Sequence, residues 1–153
     1  MSTEYNEDNL VEQATVDILA DIGWETQTAW HNEIFGVNSN VNGNLGRANK
    51  SEVILQKYLL SVLETLNPDL PQSAYKDAYL QVAQREADKT LDRTNKEKYE
   101  LIKSGVKVSF TNDKGELTKQ TLKVFDFNNP DNNHFLAVRQ LEVTGDLYNR
   151  RPD

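Results

Sequence analysis

The sequence contains no cysteine, which excludes disulfide bonds, thiol catalysis and cysteine-ligated zinc. No stretch approaches the roughly 20 consecutive apolar residues that a membrane-spanning helix requires. The N-terminus also lacks the basic and apolar regions of a secretory signal. We therefore expect a cytoplasmic protein that has no membrane partner.

Lysine and arginine are absent from the first 46 positions, which hold eight of the 24 acidic residues. The net charge of −7 therefore lies in the first third of the chain, and the remainder is nearly neutral. An acidic segment repels a phosphate backbone, so we expect any contact with nucleic acid to come from elsewhere. Ordinary surface patterning, with a solvated acidic helix face, explains the same charge distribution.

Familiar catalytic signatures are missing as well. A Lys-Ser pair at positions 50–51 is not part of a phosphate-binding loop, because Asn44 and Asn49 occupy the positions where that loop requires glycine. The two histidines, His31 and His134, lie in unrelated segments. They predict neither a zinc site nor a hydrolase triad.

Apolar periodicity and turn residues predict an α+β fold in one domain, with N-terminal helices followed by an antiparallel β-meander. We expect helices near residues 6–22, 51–66, 71–87 and 94–104, and strands near residues 106–112, 117–127 and 134–144. Gly23 is placed to end the first helix, Ser51 to cap the second, and Thr94 with Glu97 to form a capping box on the fourth. A parallel sheet that begins before residue 100 would contradict this order.

Glu12 is one of two carboxylates that the sequence singles out. It lies in line with Val16 and Leu19, at spacings of four and seven. This position is at the edge of an apolar stripe formed by residues 10, 11, 14, 18 and 22, so the side chain is turned partly toward the interior. A carboxylate there is costly unless it has a partner or a metal. A capping box with Asn9 is the alternative interpretation.

The second carboxylate is Asp153, the last residue of "NRRPD". Pro152 lacks a backbone donor and biases Arg151 toward an extended conformation, so the segment is typical of the entry to a strand. A turn or strand-start aspartate is the ordinary interpretation of Asp153. A solvated basic turn is the corresponding interpretation of Arg150 and Arg151.

At these residues the chain resembles the N-terminal region of the R subunit (HsdR) of type I restriction enzymes, in the PD-(D/E)xK nuclease superfamily. The similar stretches follow the family's order from about residue 9 to the end. They are "EIFG…GNLGR…SEVIL", "LLSVLETLNPDLP", "FDFNNPDNNHFLAVRQLEV" and "NRRPD". The resemblance implies a restriction-endonuclease-like domain that cleaves duplex DNA with Mg²⁺ and precedes an ATP-driven translocase. It also implies methyltransferase and specificity subunits as partners.

The resemblance also assigns roles to individual residues. Asp153 matches the metal-binding, catalytic aspartate of the nuclease motif, and Glu12 matches the catalytic acid that such nucleases often carry on their first helix. Arg150 and Arg151 become candidate contacts to DNA phosphates, since guanidinium groups match phosphate oxygens in pairs. The family's Glu-x-Lys pair would come one strand later, beyond Asp153. We therefore expect an incomplete nuclease domain that is inactive as it stands.

A non-catalytic module remains the alternative. The one-sided charge and the absence of a complete site also suit an acidic helical domain that docks onto another protein.

Overall fold

The computed structural model describes residues 11–84, 89–145 and 149–150, with the backbone alone for His31, Asn149 and Arg150. Four α-helices lie in these ranges: α1 (Gln13–Asp21), α2 (Gln56–Leu66), α3 (Gln72–Ala83) and α4 (Leu91–Ser104). Six strands accompany them: β1 (Glu25–Thr28), β2 (Val106–Thr111), β3 (Leu117–Leu122), β4 (Leu136–Arg139), β5 (Val143–Thr144) and β6 (Asn149–Arg150). The predicted α+β class is confirmed.

Several predicted bounds are wrong: α3 ends at Ala83 and not at 87, β3 ends at Leu122 and not at 127, and the predicted strand 134–144 is divided into β4 and β5. Two helix starts differ as well. Helix α2 begins at Gln56, and Ser51 instead donates its hydroxyl to the Asn49 side chain in the preceding loop. Helix α4 is capped by Thr90, whose side chain accepts the Arg93 backbone N–H, so the predicted cap at Thr94 is wrong. Several Ser and Thr residues near a helix start are able to cap it, and tertiary packing decides where the helix begins. The spacing of residues in the sequence does not reveal which of them becomes the cap.

The strand pairing corrects the predicted meander. Strands β2 and β3 form the expected antiparallel hairpin, with Val106 opposite Leu122. Strand β4 does not continue that hairpin but pairs in parallel with β1, with Thr28 opposite Arg139. The prediction that every strand follows the helices is therefore wrong. The short polar segment "ETQT" has no hydrophobic alternation, so nothing local marks β1 as a strand.

The chain divides into two compact units. The first takes the residues up to Leu55 and those from His134 onward, and the second is Gln56–Asn133. The second unit has an apolar core in which α2 and α3 pack with the β2–β3 hairpin, and its fully buried side chains include Leu63, Val106 and Leu122. Gly105 joins α4 to β2 at a φ of +86°, and a Cβ there would lie 2.7 Å from the Leu122 carbonyl oxygen. This junction therefore requires glycine.

The first unit is held by a buried arginine. Arg47 is 1% exposed, and its Nε and Nη2 atoms donate to the two carboxylate oxygens of Glu33 at 2.6 and 2.5 Å. Its remaining hydrogens reach the carbonyl oxygens of Glu52 at 3.1 Å and Glu142 at 3.0 Å. One guanidinium therefore ties the Asn- and Gly-rich loop to the segment that immediately precedes β5.

Replacing Arg47 with Met should destabilise the first unit by about 3–5 kcal/mol, because Glu33 is then left buried without its counter-charge. The measurement is urea unfolding followed by tryptophan fluorescence, since both tryptophans, Trp24 and Trp30, lie in this unit. The matched control is Lys50→Met. The Lys50–Glu142 pair is partly exposed, so its loss should cost less than about 1 kcal/mol. Equal costs for the two variants would contradict the role given to Arg47.

The second unit contains a buried carboxylate in the loop after β3. Asp126 accepts hydrogen bonds from the backbone N–H groups of Asn128 and Asn129 at 3.1 and 3.2 Å. It also accepts a bond of 3.1 Å from the Asn132 side chain, and Lys123 Nζ lies at 3.6 Å. The Asn132 hydrogen bond, then those from the loop backbone and the Lys123 charge, hold the pKa of Asp126 below its usual value of 3.8. This carboxylate therefore organises the loop in its ionised form.

Because the folded-state pKa of Asp126 is lowered, its stabilisation should be complete above pH 4. It should be lost progressively as the pH falls from 3.8 through the lowered folded-state value. The Asp126→Asn variant should be less stable at pH 7, and its stability should vary less with pH below 4. The measurement is the urea midpoint, by circular dichroism, between pH 7 and pH 2. Asp113→Asn, at an exposed turn position, is the control. If Asp126→Asn keeps the wild-type pH profile, another group causes the acid sensitivity.

Candidate functional site

Helix α1 presents one partly buried face to the strand region 137–141. Glu12, Val16 and Leu19 share this face, as their spacing predicts, and a cavity of about 330 Å³ lies between it and that strand region. The apolar stripe on the neighbouring face is exposed instead: Val11 is 59%, Ile18 63% and Ile22 65% accessible. The inward orientation predicted for Glu12 is therefore confirmed, whereas the stripe beside it forms an open apolar surface on α1.

The Glu12 carboxylate is held by side chains from the end of β4. Its side chain is 15% exposed, and Oε1 accepts a hydrogen bond of 2.6 Å from Gln140 Nε2. Arg139 Nη1 lies 3.7 Å from Oε2, at the outer limit of an ion pair. Oε2 is buried and has no hydrogen-bond partner among the described residues. Within the described residues the carboxylate is therefore hydrogen-bonded at Oε1, and Oε2 has the more distant Arg139 guanidinium as its contact.

Glu12 makes no side-chain cap on its own helix. Its backbone is helical, with φ −63° and ψ −50°, and no cap hydrogen bond forms from its side chain. Asn9, the partner in the predicted capping box, lies outside the described residues. The described contacts of the Glu12 carboxylate are therefore tertiary contacts to Arg139 and Gln140.

Gln140 reaches Glu12 because its backbone leaves the β conformation. Successive side chains of a strand point to opposite faces, yet Arg139 and Gln140 both approach the same carboxylate. Gln140 has a φ of +58°, a left-handed conformation that costs a non-glycine residue about 1–2 kcal/mol. Backbone hydrogen bonds hold it there, since the N–H groups of Ala29 and Trp30 donate to the carbonyls of Arg139 and Gln140.

Sequence reasoning misses both Arg139 and Gln140. The segment "AVRQLEV" has the pattern of an ordinary strand, and nothing in it signals a positive φ at the glutamine. Arg139 is also held by Thr28, whose Oγ1 accepts from Arg139 Nε at 2.8 Å across the β1–β4 pairing. That pairing is absent from the prediction, so the surroundings of Glu12 could not be anticipated.

The remaining predicted site residues lie at or beyond the edge of the described chain. Asp153 and Arg151 lie outside it. The backbone of Arg150 is in β6, paired with Val143, and its side chain is not described. In the described ranges there is no cluster of three or more histidine, aspartate or glutamate side chains that could hold a metal. The predicted roles of Asp153, Arg150 and Arg151 therefore stay predictions.

Comparisons with known proteins agree with the resemblance seen in the sequence. One relative is the HindI endonuclease subunit of a type I restriction enzyme from Haemophilus influenzae, 32% identical over 89% of this chain and 12% of the relative. Another is a protein named as a putative type I restriction enzyme MjaIXP endonuclease subunit, from Methanocaldococcus jannaschii. It is 27% identical over 99% of this chain and 14% of the relative.

The chain spans about an eighth of the length of these curated relatives. No solved structure gives a significant match. Among the described residues no helix is long and apolar enough to cross a membrane. Residues 4–153 match the family described as the type I restriction enzyme R protein N terminus (HSDR_N). The chain belongs to this family.

Proposed function

We propose that this chain is the N-terminal part of the DNA-cleaving region of a type I restriction R subunit. The parent protein would hydrolyse phosphodiester bonds of unmodified DNA with Mg²⁺ and translocate duplex DNA with ATP. It would work in the cytoplasm in a complex with methyltransferase and specificity subunits. Family membership supports the restriction-enzyme part of this proposal, and both curated relatives are named as endonuclease subunits.

The observation that carries the nuclease assignment is the state of the Glu12 carboxylate. Oε2 is buried and lacks a hydrogen bond in the described part of the chain, which is an unfavourable arrangement for a structural acid. The buried Oε1 of Gln140 is in the same condition. Hard cations such as Mg²⁺ bind oxygen ligands of this kind, so the residues present fit part of a Mg²⁺ site.

Each residue then has a separate task in the proposed site. Glu12 and Asp153 would supply carboxylate ligands, and Arg150 and Arg151 would contact the phosphates beside the scissile bond. When bound, Mg²⁺ stabilises charge that develops on the phosphate. The Glu-x-Lys pair expected after Asp153 would complete the ligand set and orient the attacking water. The ATP-driven motor of the parent protein would lie in a part of that protein outside this chain.

An acidic docking module is the second candidate, and one observation favours it. Val11, Ile18 and Ile22 form an exposed apolar surface on α1, next to the exposed acids Asp17 and Asp21. Exposed apolar surface rimmed by charge is common where two proteins bind. The two proposals differ in whether Asp153 is needed for DNA cleavage.

In the R subunit that contains this chain, Asp153→Ala should abolish DNA cleavage and leave ATP hydrolysis and translocation intact. The substitution removes a metal ligand at the nuclease centre only. All three activities are measured on the assembled complex, with Glu116→Ala, an exposed residue of the β2–β3 turn region, as the matched control. Cleavage by Asp153→Ala at the wild-type rate would overturn the nuclease proposal. Loss of cleavage and ATPase together would indicate misfolding, and Asp153→Asn would then be used to test the ligand role.

The 153-residue chain by itself should neither cleave DNA nor hydrolyse ATP. It should bind duplex DNA weakly and with steep salt dependence, because its net charge of −7 opposes the phosphate backbone. The measurement is fluorescence anisotropy with a labelled duplex between 50 and about 200 mM salt. Binding that is tight and insensitive to salt would show that this chain carries a specific DNA-binding surface of its own.

A further inference from the structure

We propose that Gln140 is the positioning residue of the nuclease centre, and that it acts by orienting the Glu12 carboxylate toward the cation. This inference rests on the proposed function. It concerns a residue that the motif-based assignment leaves out, since Gln140 belongs to neither the acidic motif nor the first helix.

The hydrogen bond between Gln140 and Glu12 involves one carboxylate oxygen. Gln140 Nε2 donates to Glu12 Oε1 at 2.6 Å, so this contact satisfies one carboxylate oxygen. The other oxygen, Oε2, stays buried and without a hydrogen-bond partner among the described residues. A neutral amide that binds one oxygen fixes the rotation of the carboxylate without neutralising its charge. Gln140 therefore leaves Glu12 able to bind a cation through Oε2.

The backbone of Gln140 is strained. Gln140 adopts a φ of +58° directly after Arg139, the last residue of the parallel β1–β4 pairing. Asn and Asp adopt a positive φ more readily than other residues because their side chains are short and polar, and Gln lacks that advantage. Without that conformation Gln140 and Arg139 would point to opposite faces of the strand. Strained conformations of this kind are concentrated at functional sites, where the surrounding structure holds them in place. The backbone hydrogen bonds from Ala29 and Trp30 provide that support.

Arg139 approaches the other oxygen of the Glu12 carboxylate. Its guanidinium lies 3.7 Å from Glu12 Oε2, which is beyond hydrogen-bond distance, and its Nε donates to Thr28 Oγ1. A close Arg–carboxylate pair, such as Arg47 with Glu33, occupies both oxygens. The arrangement at Glu12 is different, because among the described residues Gln140 alone donates a hydrogen bond to the carboxylate. This difference separates a carboxylate arranged for a ligand from one that serves the fold.

The test uses the R subunit containing this chain, in the assembled complex. Gln140→Met keeps the approximate length of the side chain but removes the amide. We expect the Mg²⁺ concentration for half-maximal cleavage to rise about 10- to 100-fold, as is typical when a residue that supports a metal ligand is lost. ATP hydrolysis should be unchanged. Gln13→Met, one residue along the chain from Glu12 and exposed, should leave every measurement unchanged.

A double-mutant cycle with Glu12→Gln shows whether Gln140 acts through Glu12. If it does, Gln140→Met should reduce cleavage by less than about twofold in the Glu12→Gln background. Independent losses that multiply would overturn the inference, as would a Glu12→Gln variant that cleaves normally. An unchanged Mg²⁺ dependence in Gln140→Met would overturn it too, because a merely structural contact alters the amount of folded protein and not the cation requirement.

Two further measurements keep the test decisive. Mg²⁺ binding in the absence of DNA and ATP, measured by titration calorimetry, should weaken in Gln140→Met and not in Gln13→Met. If Gln140→Met fails to fold, Gln140→Asn replaces it. Asn accepts a positive φ readily, but its amide is one methylene short of Glu12, so cleavage should still fall while the melting temperature is maintained. If Asp153→Ala fails to cleave DNA but Gln140→Met has a normal Mg²⁺ dependence, the role of Gln140 is refuted and the proposed function stands. Normal cleavage by Asp153→Ala would refute the proposed function and this inference together.

Discussion

The buried Arg47–Glu33 pair is the interaction on which the first unit depends. Few apolar side chains are buried in its described residues, Ala29 and Leu45 among them, and the buried polar side chains there are Ser39, Asn44 and Arg47. Hydrogen bonds from Asn44 and Arg47 join segments that are separate along the chain. Such a network stabilises only when nearly every member is satisfied, and its geometry is correspondingly restrictive. The second unit, by contrast, relies on the packing of Leu63, Val106 and Leu122 against their neighbours.

The same polar contacts also fix the chain beside Gln140. Arg47 binds the carbonyl of Glu142, and the Thr144 N–H donates to the Lys50 carbonyl, so the loop fixes the chain on the C-terminal side of Gln140. On the other side, the β1–β4 pairing fixes Arg139. Because the chain is fixed on both sides of it, Gln140 keeps its positive φ, a conformation that an isolated peptide would leave. The Glu12 carboxylate thus owes its orientation to interactions that lie outside its own helix.

Glu33 and Glu12, two described carboxylates whose side chains are largely buried, differ in what their oxygens contact. Glu33 has both oxygens paired with Arg47, and nothing of its charge is left for another ligand. Glu12 has one oxygen bound by a neutral amide and the other without a hydrogen bond in the described residues. Both residues are equally acidic in the sequence, and both lie in the segment that contains no lysine or arginine before Arg47. Only their partners distinguish them, and those partners are distant along the chain.

The sequence by itself determined the features that depend on residues close together along the chain. The α+β class, the β2–β3 hairpin and the shared face of Glu12, Val16 and Leu19 follow from periodicity, because neighbours on a helix or hairpin are set by spacing. The ordered motifs also indicated the family. Tertiary structure decided that "ETQT" is a strand, that it pairs in parallel with β4, and that Arg139 and Gln140 meet at Glu12. These features depend on contacts across more than 100 residues, and such contacts leave no local pattern, since the positive φ of Gln140 is stable only where the pairing holds it.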